Sequence, residues 1–389
     1  MIYLDDAATS KPKDEVIRAM LPYLYDHWYN PSSIYSKAYA VKKKIDEARD
    51  VVAKSIGAQA NEIYFTSGGS ESNCWAIQGF AEKSEHLGKM PYVITTDIEH
   101  SSIRRCLGNM RFGYQILLVN KDGLINLKDL IALFKEHKEL CEAYPKLMYQ
   151  NIRILVSIQM ANNEIGTIQD IKAISEICHQ YNALLHVDAV QAFCKIPIDV
   201  NELGIDMLSA SGHKIGAPKG IGFLYVRNGV DISPIIYGSQ EGGLRGGTEN
   251  VAGIMALKRA VEVTQRDAQY HLRMTVLRNN FISELEAMGC KLNGHRNQRL
   301  PNNINVTFNK NVTAESMIYL LEASDIYISA GSACNSYSSS PSHVLQAIGL
   351  SDEEALKTIR ITMPDDITME EIDQTIAEIK KALVILNVD

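Results

Sequence analysis

The sequence has no long apolar run, no basic excess, no paired-cysteine motif and no internal repeat. Each absence removes a class of protein. No window approaches the roughly 18 uninterrupted apolar residues of a membrane-spanning helix. The formal net charge is −7 at pH 7, whereas a general binder of nucleic acid or of a membrane surface would carry a basic face. Neither nucleic acid nor membrane is an expected partner. The seven cysteines, Cys74, Cys106, Cys141, Cys178, Cys194, Cys290 and Cys334, include no Cys-x-x-Cys pair and are odd in number. That argues against structural zinc and against a disulfide framework, so no metal is expected, and most of the cysteines read as small core residues. The chain opens Met-Ile-Tyr-Leu-Asp-Asp, without the basic and apolar regions of a secretory leader, and a cytoplasmic location is expected.

What is present is an ordinary globular composition, 46% hydrophobic and 22% charged over 389 residues. Single cores stop growing near about 250–300 residues, so one large domain and a smaller one are expected. Seven short runs have strand character: Glu62–Thr66, Tyr92–Thr96, Gln115–Val119, Ile152–Ile158, Ala183–Val187, Met207–Ala210 and Gly222–Val226. Between two of them, Asp170–Tyr181 places Ile171, Ile174, Ile177, Cys178 and Tyr181 at helical spacing. Strand, helix and strand joined by short loops form a βαβ unit, which implies a largely parallel α/β sheet. Ligands of such sheets collect at the C-terminal strand ends.

After about residue 250 the pattern changes. A single helix is expected over Val251–Met288, a strand over Asn303–Phe308, a helix over Ala314–Glu322 and a Ser/Gly-rich segment over Ser329–Ser342. Ser351 with Glu354 and Thr368 with Glu371 have capping-box spacing. The second box opens a helix with Ile372, Ile376, Ile379 and Leu383 on one face. The boundary is expected inside the long helix, with residues 14–255 as the large domain and residues 1–13 and 256–389 as the small one.

Four segments could carry chemistry. Thr66–Asn73 (Thr-Ser-Gly-Gly-Ser-Glu-Ser-Asn) joins a strand to a helix. Glycines there let backbone N–H groups approach an anion at a helix N-terminus, although an ordinary turn capped by Ser70 would look the same. His186–Gln191 ends a strand in Asp188. That carboxylate could pair with a buried cation or simply cap the next helix. Ser209–Lys214 places Lys214 in a polar loop after a strand, where a lysine can form a Schiff base or merely be solvated. Gly331–Ser336 sets Cys334 in a small-residue loop, the setting of a reactive thiol rather than a core one, although a surface thiol without a role would sit there too. Asn162–Gly166 also follows a strand, and Arg360 could take a carboxylate bidentately or lie on a surface strand. One cofactor would use four of these at once: the glycine turn, Asp188, Lys214 and the amides of Asn162–Gly166. Pyridoxal phosphate needs a lysine, an anion site, a carboxylate for its ring nitrogen and donors for its phenolic oxygen.

Together these segments resemble the cysteine desulfurases, the NifS/IscS-like branch of the fold-type-I, class-V aminotransferase superfamily. The resemblance runs through Tyr3–Thr9, Asn30–Ser33, Thr66–Asn73, Glu99–Ser101, Asn162–Gly166, His186–Gln191, Ser211–Lys214, Leu244–Asn250, Gly331–Cys334, Pro341–Val344 and Arg360. It implies a large domain with a mainly parallel seven-stranded sheet flanked by helices, a smaller α+β domain, and bound pyridoxal 5′-phosphate. Lys214 would hold the cofactor covalently, Asp188 would pair with the ring nitrogen and His100 would stack on the ring. Gln191 and Asn163 would contact the phenolic oxygen. Gly69, Ser70, Ser211 and His213 would hold the phosphate. Thr248 would reach the phosphate of a neighbouring subunit, making a homodimer. Arg360, helped by Asn30, would bind the carboxylate of L-cysteine.

The implied reaction releases alanine and leaves sulfur on Cys334 as a persulfide, for an iron–sulfur scaffold or a sulfur-carrier protein. Lys214, Cys334 and His100 are the expected catalytic residues. A selenocysteine lyase or another class-V enzyme would share much of this pattern, and so would a binding protein that kept the fold. An aminotransferase has no need of Cys334. The sequence departs from the usual family pattern at Tyr35, at Gly242 and at Met363-Pro364-Asp365, none of which removes a reacting group.

Overall fold

The computed structural model describes residues 1–143, 151–264, 268–309, 312–330 and 341–386. The loop expected to carry Cys334 lies outside the described residues, as does most of the Ser/Gly-rich segment. Thirteen strands are β1 (Ile2–Tyr3), β2 (Ile63–Thr66), β3 (Met90–Thr96), β4 (Gly113–Leu117), β5 (Ile152–Gln159), β6 (Leu184–Asp188), β7 (Met207–Ser211), β8 (Gly222–Val226), β9 (Cys290–Leu292), β10 (Asn303–Phe308), β11 (Ile326–Tyr327), β12 (Ser329–Ala330) and β13 (Thr358–Thr362). All seven strand-like runs of the first half are strands, shifted at their ends by one or two residues. They form one sheet in the order β2-β8-β7-β6-β5-β3-β4.

In that sheet β8 runs antiparallel to both neighbours, and the other pairings are parallel. Six strands therefore point the same way and end at one edge. The central strands β7 and β8 are buried throughout, as expected for strands covered on both faces. The helix Ile171–Gln180 turns Ile171, Ile174 and Cys178 inward, and Asp170 caps it by accepting from the Ala173 N–H at 3.1 Å.

A second sheet, β12-β13-β10-β9, is antiparallel, and β1 pairs with β11 in a small parallel ladder. Their core gathers Ile2 and Leu4 with residues from Met274 to Leu383. The first residues thus pack with the C-terminal part of the chain. Both expected capping boxes are formed, and the last helix, Met369–Leu386, buries Ile372, Ile376, Ile379 and Leu383.

The single long helix is corrected. One helix ends at Val263 and another spans Ala268–Ala287. Thr264 is buried at the break, and its hydroxyl donates to the Ile215 carbonyl at 3.3 Å. Ala256, Leu257, Ala260 and Val261 all pack in the larger core, so the change of core falls after this helix rather than inside it. Among the described residues no helix is long and apolar enough to cross a membrane.

Lys195 and Asp6 form an ion pair of 3.2 Å with both side chains buried, tying the N-terminal segment to the turn that follows β6. Removing one partner of such a pair strands the other charge. Lys195→Met should therefore cost about 3–5 kcal/mol, read as a lower urea midpoint. Asp6→Leu combined with Lys195→Met should recover most of that loss, because no buried charge is then left unpaired. A single-variant cost below about 1 kcal/mol, typical of an exposed pair, would contradict this reading.

Candidate active site

The strand ends open onto a cavity of about 820 Å³ whose lining includes Gly69, Ser70, Asn73, Glu99, His100, Asn163, Glu164, Asp188, Gln191, Ser211, His213, Lys214 and Arg360. Of the residues singled out in the sequence, ten are brought together here. Thr248 and Asn30 are exposed and lie outside the lining. Asn30 instead accepts the Ser32 N–H at 2.9 Å within its own turn.

The turn after β2 leads into the helix Gly69–His86, whose N-cap is Gly68 with φ +148°. The cap is thus not Ser70. A side chain at Gly69 is excluded because a Cβ there would lie 2.4 Å from Val190 Cγ2. Gly68 supplies no side-chain acceptor at the cap, so the first-turn N–H groups are left to face an anion. Ser211 and His213 approach the same point from the end of β7. His213 is held down to about 4 by burial and by Lys214, Lys219 and Lys195, so it is neutral at physiological pH and donates or accepts as a neutral ring.

Asp188 ends β6 with only 5% of its surface exposed. It accepts from Asn73 Nδ2 at 2.7 Å and from the Val190 N–H at 3.0 Å. Neither partner is charged, and among the described residues no ion pair to Asp188 forms, an arrangement suited to a cationic ring nitrogen. Asn73 also donates to Ser102 Oγ at 3.0 Å, which lies 2.8 Å from His100 Nδ1. The Ser102 N–H donates to that same Nδ1 at 3.2 Å. Nδ1 is therefore the acceptor, and a neutral His100 carries its proton on Nε2. Among the described residues, Asn73 Oδ1 is buried without a hydrogen-bond partner.

Lys214 reaches the cavity from the short helical turn Gly212–Lys214. Its Nζ donates to the carbonyls of Ala7 and Ala8 at 2.6 and 2.7 Å. Gln191 Nε2 donates to the Ala7 carbonyl as well, at 3.0 Å. Arg360, on β13, is 1% exposed, which removes the surface-strand reading. Its Nη2 binds Asp5 at 2.7 Å and its Nη1 the Asn163 carbonyl at 3.1 Å, while Nε has no hydrogen-bond partner among the described residues.

These groups fit pyridoxal phosphate by their chemistry: a primary amine, a buried carboxylate with neutral donors, a glycine-capped helix N-terminus and orphaned polar atoms on one cavity. Sequence reasoning passed over Asp5, Asn73, Glu99, Ser102, Glu164 and Lys195. Asp5, Asn73, Glu99 and Glu164 lay inside recognised motifs without being singled out, whereas Ser102 and Lys195 lay outside them and are joined to their partners by tertiary packing. The departures at the end of β13 also have structural partners. Met363 is buried, and Asp365 accepts from the Tyr270 hydroxyl at 2.8 Å and pairs with Lys13 at 3.4 Å.

The chain matches the family described as aminotransferase class-V over residues 2–375. It is 42% identical over 381 residues to cysteine desulfurase IscS of Methanosarcina thermophila, covering 96% of this chain and 90% of that protein. It is 41% identical over 389 residues to the protein of the same name from Dictyoglomus turgidum, covering 98% and 94%. Among solved structures, a NifS-like protein superposes with a TM-score of 0.88 at 32% identity, covering 99% of both chains. The NifS-like protein of Rickettsia africae does so with a TM-score of 0.85 at 30% identity, covering 98% of this chain and 99% of that one. The chain belongs to the class-V aminotransferase family of pyridoxal-phosphate enzymes and, within it, to the NifS/IscS-like cysteine desulfurases.

Glu99 is a buried carboxyl on this cavity. Burial pushes it up to about 8, the nearby Asp188 adds to the shift, and a 2.6 Å bond from Thr96 Oγ1 opposes it. The folded pKa is raised from an ordinary 4.5, so folding favours the protonated form. The stabilisation it contributes is complete below about 4.5 and lost as pH rises through about 8. Infrared spectra near neutral pH should show a protonated-carboxyl band that Glu99→Gln removes and that fades as pH passes about 8. If Glu99→Gln leaves the spectrum unchanged at every pH, Glu99 is ionised and this account of it is wrong.

Proposed function

We propose that this chain is a pyridoxal-phosphate-dependent cysteine desulfurase that converts L-cysteine to L-alanine and takes the sulfur onto Cys334. The observation that carries this reading is the meeting of Lys214, Asp188, Arg360 and the glycine-capped helix on one cavity, in a chain of this family that has a cysteine at 334. Lys214 would hold the cofactor, and Asp188, oriented by Asn73, would anchor its ring nitrogen. Gln191 and Asn163 would serve its phenolic oxygen. Gly69, Ser70, Ser211 and His213 would hold its phosphate, and His100 would stack on its ring. When bound, pyridoxal phosphate supplies an electron sink for the charge left at the substrate α-carbon.

Arg360 receives the substrate carboxylate, with Asn30 as the expected helper. The guanidinium is already oriented by Asp5 and the Asn163 carbonyl, so little freedom is lost when substrate binds. Lys214 is the base for the α-proton. The Cys334 thiolate attacks the substrate sulfur: the S–S bond forms as the C–S bond breaks, and the carbon fragment keeps the bonding electron pair. His100 is placed to move a proton during this exchange.

We further infer a homodimer in which Thr248 completes the phosphate site of the neighbouring subunit. Its segment is held in place by Arg245, which binds Glu71 at 2.8 Å. The exposed apolar side chains Tyr25, Trp28, Ile34 and Tyr39 support a buried face in the assembly. Two domains fit the two cores, with the boundary moved past the helix Val251–Val263: residues 14–263 carry the sheet, and residues 1–13 with 264–389 carry Arg360 and Cys334. An iron–sulfur scaffold or a sulfur carrier is the expected acceptor.

Two substitutions test the reading. Cys334→Ala should keep the yellow cofactor yet yield no sulfide from cysteine, and normal sulfide release would remove the role of that thiol. Lys214→Ala should lower kcat by several orders of magnitude even where cofactor is retained, read as alanine formation. Activity within about ten-fold of the unaltered enzyme, only about 1.4 kcal/mol of barrier, would contradict the assignment of Lys214.

A further inference from the structure

The turn Asn162–Gly166 does more than face the cofactor site. It is rigid by construction. Asn162 Oδ1 accepts the N–H groups of Glu164 and Ile165 at 2.8 and 2.9 Å, and its Nδ2 donates to the Ile98 carbonyl at 3.2 Å. Gly166 has φ +71°, and a Cβ there would strike Asn303 at 2.4 Å. Asn303 Nδ2 in turn donates to the Glu164 carbonyl at 3.2 Å. One residue of this turn, Asn163, gives its carbonyl to Arg360. The next, Glu164, is 2% exposed and accepts the Ser342 hydroxyl at 2.5 Å.

Ser342 follows Cys334 by eight residues in the chain. Its Oγ accepts the N–H groups of Val344 and Leu345 at 3.1 and 3.3 Å, capping the helix His343–Ala347. With both acceptor sites so used, the hydroxyl proton is directed outward, and Glu164 is its acceptor. The neighbouring residues are held to the same strand-end turns. His343 Nε2 lies 3.1 Å from the Glu99 carbonyl. Val344 and Leu345 pack with Ile98 and Ile165.

We propose that Glu164 is a positioning residue for sulfur removal, holding Ser342 so that the chain leading from Cys334 is rooted on the same turn that orients Arg360. The substrate-carboxylate anchor and the root of the thiol-bearing segment then share one rigid reference. Glu164 acts through Ser342 and need not touch the substrate. This rests on the desulfurase reading above.

The test separates cofactor and substrate binding from sulfur removal in the holoenzyme. Cofactor absorbance on adding cysteine reports the first. The rate of persulfide and sulfide formation reports the second. Glu164→Ala and Ser342→Ala should each slow sulfur removal about ten-fold, as loss of one buried hydrogen bond worth about 1.4 kcal/mol predicts. The absorbance response and KM should stay within about two-fold. Glu164→Ala combined with Ser342→Ala should be no slower than the slower single variant, because both remove one interaction. Ser342→Asp keeps a helix-capping acceptor but turns a carboxylate toward Glu164, so it should be at least as slow as Ser342→Ala.

A near-normal rate in Ser342→Asp would show that only the helix cap matters and would overturn the proposal. So would additive losses in the double variant, unchanged rates in both single variants, or equal losses in absorbance response and rate. If the unaltered enzyme forms no persulfide at all, the desulfurase reading falls and takes this proposal with it. If it forms persulfide normally and the variants behave otherwise than stated, the proposal alone falls.

Discussion

The cavity depends on one short turn, Asp5–Ala8, closed by the Ala8 N–H donating to the Asp5 carbonyl at 2.9 Å. Its main-chain oxygens and side chains meet most of the important cationic and amide groups. Ala7 and Ala8 accept from Lys214, and Ala7 accepts from Gln191. Asp5 pairs with Arg360 and Asp6 with Lys195. The stretch is itself fixed to β13, with the Ala7 N–H donating to Thr362 Oγ1 at 2.9 Å and the Thr362 N–H to the Leu4 carbonyl at 2.7 Å. Groups from the large sheet and from the small one are thereby set against a common strut. A buried cation without such a partner would be costly, so the strut also explains how these cations can be kept in a protein interior.

The second constraint is directional. Six strands of the large sheet end at one edge, so the turns after β2, β3, β5, β6 and β7 converge there regardless of their separation in sequence. Asn73 and Asp188 are 115 residues apart and yet bonded. Polar groups in these turns are satisfied by one another, from Asp188 through Asn73 and Ser102 to His100. Among the described residues, three of the buried polar atoms left over, Asn73 Oδ1, Glu99 Oε2 and Arg360 Nε, lie on residues that line the cavity.

Much of this was legible in the chain. Strand periodicity located every strand of the large sheet because they read as short runs rich in β-branched and aromatic residues, buried throughout at β7 and β8 and exposed only at the edge strand β4. Lys214, Asp188 and Gly69 stood out because each followed such a run. The break at Thr264 was not legible. Helical spacing continues through it, and the buried Thr264 hydroxyl bonds there to the Ile215 carbonyl, far away in sequence. The buried state of Arg360 was likewise hidden, since Thr358-Ile359-Arg360-Ile361 alternates as a half-exposed strand would. Its burial depends on Asp5, 355 residues earlier. Glu99 and Glu164 sit inside recognised motifs, but their unusual environments arise only when β3 and β5 are side by side.

The central claim is that an amine and a thiol far apart in the chain serve one substrate held between the two cores. The most direct measurement is mass mapping of the holoenzyme after a brief exposure to sulfur-labelled cysteine under non-reducing conditions. The account predicts one added, label-bearing sulfur atom on the peptide containing Cys334, removable by a thiol reductant. Label found only on another cysteine, or released with no trace on that peptide, would contradict it.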